Sequence, residues 1–286
     1  MRTALLSAAL IAICASPLAF SQNNGGDAMP AAAAASQTTL DAAVAGSWRD
    51  AANAARDGAR NPKQTLEFFG LAPDMTVIEV SPGAGWWTEI LAPWLGAQGN
   101  YVAAIPDASK AASERARTYF TGANAEFRER LAASPAQYAG ATVREVDMAA
   151  PVYGPAGSAD AVLTFRNIHG WMRNDQAEMQ MKAFFEVLKP GGVLGLEQHR
   201  ADADVPKDQI NGYVSEAQVI ALAEGAGFEL AARSEINANP KDTKDHPNGV
   251  WTLPPNLNVP EGEDKAKYEA IGESDRMTLR FVKPQA

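Results

Sequence analysis

The chain has 286 residues, 46% of them hydrophobic and 21% charged, which suits one globular domain of about 200–250 residues plus an appendage. Acidic residues number 34 against 25 basic ones, and no Lys/Arg cluster interrupts that excess, so nucleic acid and anionic lipid are excluded as expected partners. The only cysteine is Cys14, which excludes a disulfide framework and argues against structural zinc.

The appendage is at the start. Arg2, an apolar run from Ala4 to Ala15 and the exit Ser16-Pro17-Leu18-Ala19-Phe20-Ser21 have the three regions of a secretory signal peptide over residues 1–21. Export to the periplasm is expected. Ile13 stands before Cys14 where a lipid-anchor site takes a small residue, so no anchor is expected there. The apolar run is too short to remain as a membrane span, and no later segment is apolar enough. Loss of Arg2 takes 25 basic residues to 24 against 34 acidic ones, a formal charge of −10. Residues 22–39, rich in Ala, Asn and Gly, read as a low-complexity tether.

From residue 40 to 286 the pattern is that of a folded domain. Leu40, Val44, Trp48 and Ala52 recur at helical spacing, predicting a helix over 40–60. Asn61-Pro62 breaks it, and a second helix carrying Leu66, Phe68 and Phe69 ends at Gly70. Strands are predicted over 76–80, 100–105, 142–146, 159–165, 193–198, 228–235 and 276–282. Helices are predicted over 87–95, 109–133, 175–188 and 215–226. Apolar strands separated by crossover helices mean an α/β fold with a mostly parallel seven-stranded sheet covered on both faces. No helix separates the last two strands, so they are expected to pair antiparallel. The polar stretch 236–275 is long for a loop in a compact domain, which makes it a lid over a site or a surface excursion. As a lid it would bring Trp251, Asn237, Asn239 and Lys241 to a ligand.

The first strand, Val77-Ile78-Glu79-Val80, runs into Ser81-Pro82-Gly83-Ala84-Gly85 and a helix. Glycines there let the backbone approach a ligand and aim helix N–H groups at it. His169 and His199 follow the fourth and fifth strands on the same edge, where an imidazole can serve as general base or complete a polar rim. Arg166 and Arg200 suit bidentate contact with a ligand carboxylate, or ordinary salt bridges. Trp86 and Trp87 either face a cationic ligand or pack the helix onto the sheet. His246 is expected to be exposed. The histidines lack ligand spacing, and neither a nucleophile elbow nor a phosphate-binding loop is present.

The run Val77–Thr88 resembles the first motif of class I S-adenosylmethionine-dependent methyltransferases, with Ser81 where that pattern has Gly. Leu188-Lys189-Pro190-Gly191-Gly192-Val193 resembles the family's turn into its fifth strand. Asp147-Met148 resembles the pair that brackets the adenine ring. Asp160–Trp171 resembles the fourth motif, beneath the transferable methyl. The resemblance covers about 60–235 and 276–283, and is nearest to the exported methyltransferases of proteobacteria. It implies a Rossmann-like fold with an N-terminal helical extension and S-adenosylmethionine as cofactor. The cofactor would be held by Glu79, Ser81, Gly83, Gly85, Asp107, Asp147, Met148 and Arg166, with His169 and His199 as catalytic candidates and a small-molecule acceptor. One departure stands out. Ile105 occupies the place of the family's ribose-binding acid, and Asp107 comes two residues later, after Pro106. A non-catalytic binding module is therefore the alternative. A nicotinamide-dependent oxidoreductase is disfavoured, because Thr88 replaces the third glycine of that fingerprint.

Overall fold

The computed structural model describes residues 38–96 and 98–285; the leader and all but the last two tether residues lie outside them. The strands are β1 (Thr76–Val80), β2 (Asn100–Pro106), β3 (Ala141–Val146), β4 (Ala159–Phe165), β5 (Leu188–Ala201), β6 (Val214–Ser215), β7 (Glu229–Ser234) and β8 (Arg276–Val282). Their order is β3-β2-β1-β4-β5-β8-β7, with β6 paired to the end of β5. Pairing is parallel from β3 to β5, while β8 runs antiparallel to both β5 and β7. This is the expected α/β sheet with one two-residue strand added. The chain moves outward from β1 to β3 and then returns to β4, so strand order reverses between β1 and β4, and a crevice opens at their carboxyl ends.

The period-2 alternation of each strand divides the core into two layers. Ile78, Val80, Val102, Val162, Leu194 and Leu196 face α8 (Ile168–Arg173), α9 (Ala177–Val187) and α10 (Glu216–Gly225). Val77, Tyr101, Ala103, Ile105, Leu163 and Phe165 face the opposite layer, which includes Leu66, Phe69, Ile90 and Leu91. Those last four belong to α4 (Pro62–Phe69) and α5 (Thr88–Leu95). The remaining helices are α1 (Leu40–Val44), α2 (Ala51–Ala54), α3 (Asp57–Arg60), α6 (Glu114–Ala133), α7 (Pro135–Tyr138) and α11 (Lys265–Glu269). No helix among the described residues is long and apolar enough to cross a membrane.

Three elements differ from expectation. The helix predicted over 40–60 is three short ones. Gly46 lies so close beneath the Trp48 ring that no side chain fits, and the Asp50 carboxylate caps α2 through the Ala52 N–H at 2.8 Å. α6 begins at Glu114 rather than Ser109, because Asp107 first caps a 3-10 turn (Ala108–Lys110) and Ser113 then caps the helix through Ala116 at 3.2 Å. The 188–193 turn is absorbed into β5 as an irregularity: Ala159 pairs with Leu188 and Ala161 with Val193, with Gly191 at φ 77°.

The 236–275 stretch is ordered around one buried carboxylate. Asp242 accepts from Tyr213 Oη at 2.9 Å, His246 Nε2 at 2.8 Å and the Asp275 N–H at 2.7 Å. His246 is therefore buried, not exposed as its sequence context suggested.

Candidate functional site

Three residues of the turn after β1 take left-handed backbone: Ser81 at φ 51°, Gly83 at 59° and Gly85 at 83°. For Ser81 that conformation costs roughly 1–2 kcal/mol, and it is held by its N–H on Ala104 O at 2.8 Å. A side chain at Gly83 would meet nothing within 4 Å. The space beside it is a cleft of about 740 Å³.

Ser81, Gly83, Ile105, Asp107 and Met148 all line that cleft. β2 stays in register through Pro106, which pairs with Val146, so Asp107 is the first residue past the strand. Its carboxylate accepts from the Ser109 N–H at 2.8 Å, and the Ser109 hydroxyl, followed by that N–H, holds its pKa below the ordinary value. Asp147 is placed otherwise. Its carboxylate closes a turn onto the Ala149 N–H at 2.8 Å, and it is not among the cleft-lining residues, whereas Met148 is.

A smaller chamber of about 330 Å³ adjoins the cleft and shares Ser81, Pro82, Gly83, Arg166, Asn167 and His169 with it. Glu79 lines the chamber from the sheet. Strand alternation turns it toward α5, where it accepts from Tyr101 Oη at 2.6 Å and Thr88 Oγ1 at 3.1 Å. Burial pushes its pKa up to about 7, against the lowering effect of those two bonds.

His169 and His199 meet here with ring centres 5.8 Å apart. The Gln198 amide nitrogen donates to Gly212 O at 2.9 Å, which fixes the orientation of that amide, and the same nitrogen contacts His169 Nδ1 at 3.2 Å. Nδ1 of His169 is thus an acceptor, and in the neutral ring the proton sits on Nε2. Burial lowers the His169 pKa to about 4. His199 Nδ1 lies 2.5 Å from Ser274 Oγ, and burial followed by the nearby Arg166 charge lowers its pKa as well.

The chamber has a charged floor. Arg56 and Arg60, from the N-terminal helices, reach Glu273 at 2.7 and 3.2 Å, and Arg276 reaches it at 3.0 Å. Arg276 also lies 3.4 Å from Glu197. Burial alone would raise the Glu273 pKa, but Arg60, Arg276 and Arg56 together hold it down at about 2. Burial and the Arg166 charge lower Arg60 to about 9. Arg166 has left-handed backbone, φ 63°, and its N–H donates to Glu197 O at 2.7 Å. Its Nε is buried with no partner among the described residues. The sequence signal for this cluster was faint: Arg56 and Arg60 stand one helical turn apart, and the acid at helical spacing from Arg60, Asp57, pairs with Arg49 instead.

Trp86 and Trp87 are both buried. Trp87 stacks on Phe165 at 4.2 Å, and Trp86 lies under Arg60 at 4.8 Å. They pack the turn onto the sheet while also walling the chamber. Arg200 makes ordinary salt bridges to Glu235 at 2.7 Å and Asp275 at 3.0 Å. From the 236–275 stretch, Trp251 lines the chamber and sets its edge against His169 at 5.8 Å. Asn237, Asn239 and Lys241 do not. Asn237 donates to Thr65 and Thr278, and Asn239 to Ile271 O and Glu273 O, so both brace the scaffold. Lys241 is exposed.

No family model and no curated protein matches the chain significantly. Solved structures do. The [4+2]-cyclase SpnF aligns with TM-score 0.54 and 15% identity over 80% of this chain and 82% of that one. An S-adenosylmethionine-dependent methyltransferase from Aquifex aeolicus aligns with TM-score 0.51 and 15% identity, covering 80% and 93%. The pyocyanin biosynthetic protein PhzM aligns with TM-score 0.50 and 12% identity, covering 86% and 62%. The fold is that of the class I methyltransferases.

Proposed function

We propose that the protein transfers the methyl group of S-adenosylmethionine to a small acceptor in the cell envelope. The observation that carries this reading is the junction of the two cavities. Ser81, Gly83, Arg166 and His169 line both, so a ligand in the cleft and a ligand in the chamber would meet beside the glycine turn.

The residues present fit the cofactor. Gly83 leaves open space where any other side chain would intrude, and the buried Arg166 Nε has no partner among the described residues. The turn would hold the methionine end, Asp107 the ribose hydroxyls in place of the acid missing at Ile105, and Met148 the flat ring. When bound, the cofactor supplies an electrophilic methyl on a sulfonium. The chain's own contribution is positioning and exclusion of water. Trp251, Pro254 and Pro255 wall the chamber from the 236–275 stretch. His169, with its proton on Nε2, acts as a hydrogen-bond donor toward the acceptor. A proton on the acceptor would pass to Nε2 of His199, with Nδ1–H donating to Ser274, and the lowered basicity of that ring restricts the role to acidic acceptor groups.

Export is part of this reading, supported by the leader's three-region pattern and by the resemblance to exported methyltransferases of proteobacteria. The test is a native mass spectrum of protein purified from its own compartment. The expected result is a chain beginning at Gln22 that retains S-adenosylmethionine or its demethylated product. A chain beginning at Met1, or a retained nicotinamide nucleotide, contradicts it. The second reading is a binding module without transfer, favoured by Ile105 at the ribose-acid position. It predicts cofactor binding with no methyl transfer.

A further inference from the structure

We propose that the chamber recognises a carboxylate, or a similar planar oxyanion, on a small flat acceptor, with Arg166 and Arg60 as its binding residues. That this ligand receives a methyl group rests on the proposed function; the anion preference does not. Four guanidinium groups, Arg56, Arg60, Arg166 and Arg276, stand around this end of the sheet. The carboxylates in contact with them are Glu273 and Glu197. Glu79 is committed to Tyr101 and Thr88. The two histidines are held neutral by burial and add no negative charge. The described residues therefore leave an excess of positive charge here.

That excess has donors to spare. Arg166 makes no ion pair among the described residues, and its Nε is buried without a partner, as are Nη2 of Arg60 and Nη2 of Arg56. Arg60 is only 2% exposed. Buried donors left unpaired are costly, and a bound oxyanion satisfies several at once through charge-assisted bonds. His169 adds a neutral N–H from its Nε2. The walls are Trp86, Trp87, Phe165 and Trp251, which suit a flat apolar body attached to the anion. A volume of about 330 Å³ restricts the ligand to a small molecule.

The methionine end of the cofactor also carries a carboxylate, so the experiment separates the two sources. Benzoate and benzamide are titrated into the mature chain by calorimetry, with and without saturating S-adenosylhomocysteine. S-adenosylhomocysteine is compared with 5′-methylthioadenosine, which lacks the amino-acid carboxylate. The comparisons are repeated on Arg166→Gln, Arg166→Lys and Arg60→Gln. Expected with S-adenosylhomocysteine bound is a benzoate preference over benzamide of about tenfold to a hundredfold. Arg166→Gln and Arg60→Gln lose it, and Arg166→Lys keeps part. Equal binding of benzoate and benzamide overturns the proposal. So does expulsion of benzoate by S-adenosylhomocysteine, when Arg166→Gln also erases the advantage of S-adenosylhomocysteine over 5′-methylthioadenosine. If S-adenosylhomocysteine fails to bind while the benzoate preference and its loss in the variants persist, the methyl-transfer reading falls and the anion site stands. Should Arg166→Gln not fold, the other two variants carry the same comparison.

Discussion

Replacing Glu273 with Gln removes the carboxylate that ties the N-terminal helices to β8. Its oxygens lie within 3.2 Å of Arg56, Arg60 and Arg276, and its side chain is 8% exposed. Neutralising it leaves three guanidinium groups without their shared partner, and breaking a buried ion pair in this way costs about 3–5 kcal/mol. The pKa supplies an independent magnitude. A carboxyl held at about 2 instead of the ordinary 4.5 is worth about 3 kcal/mol in stability at neutral pH. Glu273→Gln is therefore expected to lower the urea-unfolding free energy at pH 7 by about 3 kcal/mol, and the melting temperature by about 6–12 °C. The folded pKa is depressed, so the contribution is complete above about pH 4.5 and is lost as pH falls toward 2. The gap between wild type and variant should narrow over that window. The same variant should bind benzoate more tightly, since it increases the positive excess in the chamber. A loss under about 1 kcal/mol, or a gap that stays constant as the pH drops from 7 to about 3, refutes the reasoning.

Other outcomes follow from the same geometry. Asp107→Asn keeps the cap on Ser109 but removes the charge offered to the ribose. It should weaken S-adenosylhomocysteine binding by about tenfold to a hundredfold with little change in melting temperature. Gly83→Ala forces a side chain into left-handed backbone at a cost of about 1–2 kcal/mol and points a methyl into the cleft. Calorimetry should then show ligand affinity falling further than stability does. His169, lowered to about 4 by burial, should stay neutral in imidazole NMR spectra from pH 8 to about pH 5. Its depressed pKa opposes folding as pH falls from 6.5 toward 4, so His169→Gln should flatten part of the acid-side loss of stability.

The sheet was legible because its strands are short apolar runs bounded by turn residues, and burial on both faces leaves such a segment few other places in a fold. Ser81–Gly85 was legible because left-handed backbone selects glycine, and two of its three left-handed positions are glycines. Asp147 misled, because an acid after a strand can close a local turn as readily as face a ligand. The charged floor was hidden for a different reason. Arg56 and Arg60 are more than 200 positions from Glu273, and the partners come together only when β8 enters the sheet beside β5. The burial of His246 was hidden similarly, since it depends on Asp242 gathering Tyr213 and Asp275 from distant segments.

Whether the cleft is a cofactor site is decided by calorimetric titration of the chain beginning at Gln22 with S-adenosylmethionine and S-adenosylhomocysteine. Saturable binding of both is expected, weakened by Asp107→Asn and by Gly83→Ala. The absence of heat with either ligand at millimolar concentration would contradict it.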